Sequence, residues 1–292
     1  MIITPNDDIL GAKIEDIDLT RALNPGDFRT ILRALGKYGV LCFPEQSLEP
    51  GQLSAFGANF GELEINVANK YHAEDHPEVM ILSNIMVDGK QIGLVDAGQL
   101  WHTDVSYASE IAFANVLHAK VVPTRDDKPL GDTQFRNMYA AYEDLPAVVK
   151  QRLAGVNAVH DFCVFWERML QRPGTKRQPL TEEQRKLRPP VEHPIFMKHP
   201  ITGKYALYCN PGFATRIVGM ESNESDEMLE FLFRHQSKDK YFYAHKWKVG
   251  DVLIWDNICT THNAAADYGP NEGRLLHRVQ VMATRDYAQL AA

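Results

Sequence analysis

Short strand-like segments are spread along the whole chain, and their distribution limits the folds that it can adopt. Apolar or alternating runs occur at residues 40–43, 78–84, 112–122, 251–256 and 274–283. Runs of this length between turn-forming segments are typical of β-strands. Few helices lie between them, whereas a parallel sheet needs a helix in nearly every connection. The pattern therefore predicts a mainly β chain, an antiparallel sandwich or barrel flanked by helices.

Helical periodicity is confined to a few segments. Apolar residues recur at the spacing of one helix face at 27–38, 49–59, 138–153 and 225–236. In the first segment we expect Asp27 to cap the helix and Gly39 to end it.

Residues 160–193 differ from the rest of the chain, because they are polar, contain several prolines and begin with aromatic residues. An insert of this length in a compact domain is often a lid or a binding loop. It can equally be a solvated excursion with one short helix, for which Thr181 and Gln184 form a capping-box pattern. The sequence leaves both interpretations open.

The composition excludes several classes of protein. The chain has 292 residues, of which 45% are hydrophobic, and a formal net charge of −7. An acidic chain without a Lys- or Arg-rich run has no electrostatic basis for binding nucleic acid. No apolar run approaches the roughly 18 residues that span a bilayer, and no secretory signal pattern is visible at the N-terminus. We therefore expect a cytoplasmic protein without a membrane partner, folded as a single domain over 1–292.

The stretch WHTDVSY at 101–107 places a histidine and an aspartate two residues apart. If this stretch is extended, His102 and Asp104 share one face. One imidazole nitrogen and one carboxylate oxygen aimed at the same point are two of the three donors of a metal site. The same pair could instead be a hydrogen-bonded surface pair, so a third ligand is needed to decide.

The segment 255–281 supplies a third histidine and two arginines. His262 follows a predicted strand, Arg274 lies twelve residues further on, and Arg278 follows four residues later. In a strand, residues four apart share a face, so both guanidinium groups would point the same way. A buried guanidinium needs a carboxylate partner. Either the protein or a ligand could provide it.

Together these residues resemble the taurine dioxygenase / 2,4-dichlorophenoxyacetate dioxygenase family of non-haem Fe(II), 2-oxoglutarate-dependent oxygenases. The resemblance covers nearly the whole chain. Its motifs are, in order, GAKIEDIDL, GVLCFPEQSLEPGQLSAFGANFGELE, LWHTDVSY, GDTQFRNMYAAYEDLP, NPGFATRI and WDNICTTHNAAADY followed by two arginines. The resemblance implies a double-stranded β-helix, the cupin-like jelly roll.

The resemblance also implies roles for single residues. His102, Asp104 and His262 would be the facial triad on Fe(II) and hence the catalytic centre, with 2-oxoglutarate and O2 taking the open positions. Arg274 and the hydroxyl of Thr133 would bind the distal carboxylate of 2-oxoglutarate. Arg278 would hold the anionic group of the primary substrate. The products would be a hydroxylated substrate, succinate and CO2.

The substrate implied by the resemblance is a small organic anion, and a carboxylate such as an aryloxyalkanoate is favoured over taurine or another alkylsulfonate. Taurine-specific members carry His and Tyr where this chain has Asn66 and Asn69, and Asn where it has Gly98. Lys90 matches a lysine that contacts the substrate carboxylate in members that degrade phenoxyacetates. Phe213 matches an aromatic residue of the substrate pocket, and Asn69 is a further candidate contact.

Two other classes of function fit parts of the pattern. A His/Asp/His set could bind Zn²⁺ and activate water in a hydrolase or isomerase on a cupin-like jelly roll, although such an enzyme would have no use for Arg274. A non-catalytic jelly-roll binding module would retain the three ligands only as a relic. The family tends towards dimers and tetramers, so we expect a homodimer or a homotetramer.

Overall fold

Antiparallel sheets flanked by helices account for most of the regular structure. The computed structural model describes residues 1–65, 70–172, 175 and 177–292. Its helices are α1 (Pro25–Tyr38), α2 (Pro50–Ala58), α3 (Met138–Glu143), α4 (Ala147–Leu153), α5 (Phe162–Leu170), α6 (Glu182–Lys186), α7 (Ser222–Gln236) and α8 (Tyr287–Ala291). A short 3₁₀ turn spans Asp239–Tyr241.

The strands run throughout the chain, and the prediction of a mainly β protein is confirmed. They are β1 (Ile2–Pro5), β2 (Ala12–Glu15), β3 (Val40–Phe43), β4 (His72–Ala73), β5 (His76–Ser83), β6 (Met86–Val87), β7 (Lys90–Gln91), β8 (Ala112–Val121), β9 (Thr124–Arg125), β10 (Lys128–Pro129), β11 (Thr133–Asn137), β12 (Asn157–His160), β13 (Val191–Pro194), β14 (Phe196–Lys198), β15 (Tyr205–Leu207), β16 (Ala214–Ile217), β17 (Phe242–His245), β18 (Val252–Asp256), β19 (Thr260–Ala264) and β20 (Leu275–Met282). Each of the five predicted strands is present, with its ends shifted by a few residues at most.

The helix predictions needed two corrections. Helix α1 is capped by Asn24 and not by Asp27, because the Asn24 side chain accepts hydrogen bonds from the main-chain N–H groups of Gly26 and Asp27. Gly39 ends this helix as expected, with a φ of 71° that favours glycine. The helix predicted at 138–153 is two helices, because Pro146 disfavours a helical conformation of the residue before it and lacks an N–H donor.

Two of the sheets lie face to face and position the residues discussed below. The larger has the strand order β1-β2-β3-β18-β8-β20-β5-β4, and the smaller has the order β17-β11-β19. Strand β18 alternates between two cores, as a strand covered on both faces must. Val252 and Ile254 pack with apolar residues of α1 and α2, whereas Leu253 and Trp255 pack with Phe135 of the smaller sheet.

The segment 160–193 contains α5, α6 and the start of β13, and it contacts the loop that precedes the WHTDVSY motif. The Arg172 guanidinium donates to the main-chain oxygen of Gln99 over 2.5 Å, and Arg177 forms an ion pair with Asp96 over 2.9 Å. The capping box of Thr181 and Gln184 is confirmed. Within the described residues, no helix combines the length and the apolar character needed to cross a bilayer.

Candidate active site

His102 and His262 are brought together by a main-chain bridge at the edge of the smaller sheet. The N–H of His102 donates to the oxygen of His262 over 3.0 Å, and the reverse hydrogen bond is 2.9 Å long. Extended pairing in the WHTDVSY stretch is confined to this bridge, because the chain turns at Asp104 and Val105 has a φ of 55°. The Asp104 carboxylate thus reaches the two imidazoles from a turn and not from a strand.

The three side chains converge on a common point. Nε2 of His102 lies 3.3 Å from Oδ1 of Asp104, and Nε2 of His262 lies 3.5 Å from Oδ2 of the same carboxylate. One donor atom from each residue lies within 4.8 Å of the other two. Both histidines are buried. Metal–ligand bonds of about 2 Å can be accommodated by such a set after small side-chain movements.

The hydrogen bonding of His102 suits a metal ligand. Its Nδ1 lies 2.5 Å from the main-chain oxygen of Leu100. Because that oxygen can only accept, Nδ1 carries the proton and Nε2 presents its lone pair towards Asp104. Two imidazole nitrogens and one carboxylate are the donors of the facial triad in non-haem Fe(II) oxygenases. The residues present therefore fit a ferrous ion.

Two further side chains hold the Asp104 carboxylate. Oδ2 accepts from Nδ2 of Asn115 over 2.9 Å and from Nη2 of Arg278 over 3.0 Å. Burial by itself would raise the pKa of Asp104, but the adjacent Arg278 guanidinium holds it well below its usual range. The carboxylate is therefore ionised and able to bind a cation.

Arg274 and Arg278 face the same pocket as the three candidate ligands, together with Thr133. Arg274 is 7% exposed, and within the described ranges no carboxylate oxygen lies within 4.0 Å of its guanidinium. Its described neighbours include the ring of Tyr268, 5.8 Å away. Burial lowers the pKa of Arg274, while Tyr268 and, less strongly, the Asp267 carboxylate beyond 4.0 Å oppose this effect. A buried guanidinium without a counter-ion is costly, and an anionic ligand would relieve that cost.

Thr133 is poised to donate a hydrogen bond into this pocket. Nε1 of Trp247 donates to its Oγ1 over 3.0 Å. Since the indole can only donate, the hydroxyl proton of Thr133 remains available for an acceptor.

Aromatic side chains form a wall beside His102. The ring of Phe213 lies 6.2 Å from the His102 ring, 4.5 Å from that of Phe165 and 4.9 Å from that of Tyr107. The ring of Phe162 lies 4.8 Å from that of Tyr107, and the Arg188 guanidinium lies 4.8 Å from the centre of the Phe162 ring. We call Tyr107, Phe162, Phe165 and Phe213 the aromatic wall.

One predicted substrate contact, Lys90, is not brought to this site. Lys90 is exposed on the β6–β7 hairpin and lines a separate depression with Lys70 and His72. Asn69 lies outside the described residues, as does Asn66. Conversely, the sequence reasoning missed Asn115. The available signal was an amide within the apolar run of β8, since a buried polar residue in a strand needs partners.

The comparisons with known proteins agree with this geometry. Residues 3–280 match the family model described as taurine catabolism dioxygenase TauD, TfdA family. An alpha-ketoglutarate-dependent 2,4-dichlorophenoxyacetate dioxygenase from Burkholderia sp. (strain RASC) is 33% identical, over 94% of this chain and 91% of the relative. A pentalenolactone F synthase from Streptomyces arenae is 30% identical, over 92% and 91% of the two chains.

Solved structures give the same result. A taurine dioxygenase from Burkholderia xenovorans is 31% identical with a TM-score of 0.77, over 96% of this chain and 89% of the other. AAD-2 in complex with Mn(II) and N-oxalylglycine is 27% identical with a TM-score of 0.81, over 97% and 99%. The predicted enzyme class, an Fe(II)- and 2-oxoglutarate-dependent dioxygenase, is confirmed by these matches. The chain belongs to the taurine catabolism dioxygenase TauD, TfdA family.

Proposed function

We propose that this enzyme hydroxylates an aliphatic carbon of a small organic anion while it converts 2-oxoglutarate and O2 into succinate and CO2. One oxygen atom enters the substrate and the other enters succinate, so the reaction is balanced without another reductant. The observation that carries the proposal is the buried Arg274 guanidinium, which has no carboxylate partner in the described part of the chain and faces the His102, Asp104 and His262 cluster. A metal-dependent hydrolase has no use for such a group.

His102, Asp104 and His262 would hold the metal. Bound Fe(II) would supply the oxidative chemistry that no side chain can perform. The protein contributes a ligand set of fixed spacing and a pocket with little access to water, since both histidines are buried. Excluding water protects a reactive centre from side reactions.

Arg274 and Thr133 would bind the distal carboxylate of 2-oxoglutarate. A guanidinium can grip a carboxylate through two parallel N–H donors. The free hydroxyl proton of Thr133 supplies another donor to the same group. These contacts would neutralise Arg274 and orient the opposite end of the cosubstrate towards the three ligands.

The aromatic wall and Arg278 support an aryloxyalkanoate as the primary substrate, in preference to taurine. The wall offers an apolar aromatic surface next to His102, which suits an aryl ring better than a short aminosulfonate. All described contacts of the Arg278 guanidinium use Nε or Nη2. Nη1 can therefore donate to the anionic group of the substrate.

Three further expectations complete the proposal. The facing sheets support a double-stranded β-helix, and the core that they share supports a single domain over 1–292. The contacts of Arg172 and Arg177 with the 96–99 loop support a lid at 160–193. A homodimer or homotetramer stays a prediction that size-exclusion chromatography with light scattering can test.

The direct test is succinate formation with Fe(II), ascorbate and 2-oxoglutarate over a panel of acids, with O2 uptake followed in parallel. We expect aryloxyalkanoates to give coupled turnover, in which succinate, O2 and hydroxylated product match. Faster turnover with taurine would overturn the substrate assignment. Failure of every acid to support 2-oxoglutarate consumption would overturn the proposed reaction itself.

A further inference from the structure

Asn115 bridges the metal-facing carboxylate and the arginine beside it. It lies in β8, between β18 and β20 in the larger sheet, and is fully buried. Its Nδ2 donates to Oδ2 of Asp104 over 2.9 Å, while its Oδ1 accepts from Nε of Arg278 over 3.1 Å. Because the carboxylate only accepts and the guanidinium only donates, the two ends of the amide are fixed in this orientation.

The amide is itself held from the other side. Nδ2 of Asn115 also reaches Oδ1 of Asn257 over 3.3 Å, and Nε1 of Trp255 donates to the same oxygen over 3.2 Å. Strand pairing aligns Asn115 with Trp255 on one side and with Gln280 on the other. The side chain is therefore supported by the middle of a sheet, where the backbone has little freedom to move.

These contacts make the two oxygens of the Asp104 carboxylate different. Oδ2 accepts two hydrogen bonds, from Asn115 and Arg278. Each oxygen also lies near one candidate metal donor, since Oδ1 is 3.3 Å from Nε2 of His102 and Oδ2 is 3.5 Å from Nε2 of His262. An oxygen that already accepts two strong hydrogen bonds has less electron density to offer a cation, so Oδ1 is the better donor.

We propose that Asn115 is a positioning residue that fixes Oδ2 of Asp104 and so presents Oδ1 as the single metal-binding oxygen. This inference rests on the proposed function of the three ligands. Single-oxygen binding by Asp104 leaves more coordination positions for the cosubstrates than binding through both oxygens. An aspartate at position 115 could not serve, since it would set two anionic oxygens against each other.

The test is Mn(II) binding by calorimetry, which needs no turnover. Partners that orient a metal ligand are typically worth about 10- to 100-fold in metal affinity. We expect Asn115→Leu and the smaller Asn115→Ser to weaken Mn(II) binding by about that factor. Gln280→Leu is the matched control, because Gln280 contacts Arg278 but makes no described contact with Asp104. We expect it to change the Kd by less than about threefold, well below that range.

Thermal unfolding of the metal-free variants separates positioning from packing. A lower Tm of the Asn115 variants with an unchanged Mn(II) Kd would overturn the inference, because it would show a purely structural residue. If Asn115→Leu does not fold, Asn115→Ser carries the same comparison. Wild-type protein that binds no Mn(II) would instead overturn the proposed function.

Discussion

Nη2 of Arg278 lies 3.0 Å from Oδ2 of Asp104, so the predicted substrate-binding arginine is also the charge partner of the predicted metal-binding carboxylate. Both side chains are largely buried. Removing one member of a buried ion pair leaves the other charge uncompensated and typically costs about 3 kcal/mol or more. Arg278 thus stabilises the protein before any ligand binds.

Replacing Arg278 with leucine should therefore destabilise the metal-free protein and make it more responsive to metal. We expect Arg278→Leu to lower the Tm, and saturating Mn(II) to raise it by more than in wild type, because a cation would again neutralise Asp104. Differential scanning calorimetry with and without Mn(II) measures both effects. An equal Mn(II)-induced shift in the two proteins would contradict this account of the pair.

Arg274 should behave in the opposite way. Because no carboxylate pairs with it in the described structure, Arg274→Leu should leave the Tm of the ligand-free protein unchanged or raised. The affinity for 2-oxoglutarate, measured by calorimetry with Mn(II) present, should fall about 10- to 100-fold, since charge-assisted hydrogen bonds are lost. Arg152→Leu is the control, because it breaks an ion pair between Arg152 of α4 and Glu224 of α7. It should not alter the affinity for 2-oxoglutarate. Unchanged 2-oxoglutarate binding in Arg274→Leu would remove the main support for the proposed reaction.

His102→Ala should abolish metal binding and spare the fold. The hydrogen bonds that tie residues 102 and 262 are main-chain bonds, which alanine retains. We expect a near-wild-type circular dichroism spectrum and a loss of Mn(II) affinity of at least about 100-fold, beyond what loss of an orienting partner costs. His76→Ala, at a half-buried histidine paired with Glu78, serves for comparison. Mn(II) affinity that survives in His102→Ala would exclude this residue as a ligand.

The aromatic wall should discriminate between substrates. Phe165 lies 6.0 Å from the His102 ring and is only half-buried, so its truncation should disturb the core little. We expect Phe165→Ala to lower kcat/KM for an aryloxyacetate about tenfold, a loss of about 1.4 kcal/mol, and to leave 2-oxoglutarate binding unchanged. Phe233→Ala, in the α7 region, should change neither. An equal loss of kcat/KM for aryl and alkyl acids would mean that the wall does not recognise the aryl ring.

Acid should destabilise the protein through His160. Burial, with a smaller effect from His193, lowers the pKa of His160 from 6.5 to about 3. A depressed folded-state pKa contributes stability that is fully present above pH 6.5 and is lost as the pH falls towards 3, because the unfolded chain binds the proton first. We expect His160→Leu to flatten the fall of the unfolding free energy between pH 6.5 and pH 4. Urea unfolding measures this free energy at each pH. If it falls equally in both proteins between pH 6.5 and pH 4, His160 is not responsible.

The residue pattern and the family resemblance predict the metal ligands and the two arginines, but not which charges would pair. The cost of burying a guanidinium required a counter-ion for Arg274 and for Arg278. The structure resolves the two cases differently, since Arg278 meets Asp104 and Arg274 meets no carboxylate among the described residues. That difference arises because a turn places Asp104 next to Arg278 of β20. Strand periodicity does not predict the path of that turn.

The sequence also did not predict which side chains meet across neighbouring strands. Asn115 meets Asp104 and Arg278 only because of the register between β8 and β20 and the path of the 101–107 turn. Pro146, by contrast, did indicate the break between α3 and α4. The prediction of a single helix followed the helical periodicity and ran through this proline. Lys90 matched a motif, but a two-residue hairpin strand keeps it at the surface.

The main-chain bridge between His102 and His262 holds these two predicted ligands side by side through peptide groups. The two rings lie 4.3 Å apart even though the residues are far apart in the chain. A chelator should therefore strip the ion and leave the backbone of the two histidines in place, with only small movements of the imidazoles. We expect the metal to rebind at a rate set by diffusion and ion exchange, without a slow rearrangement of the chain.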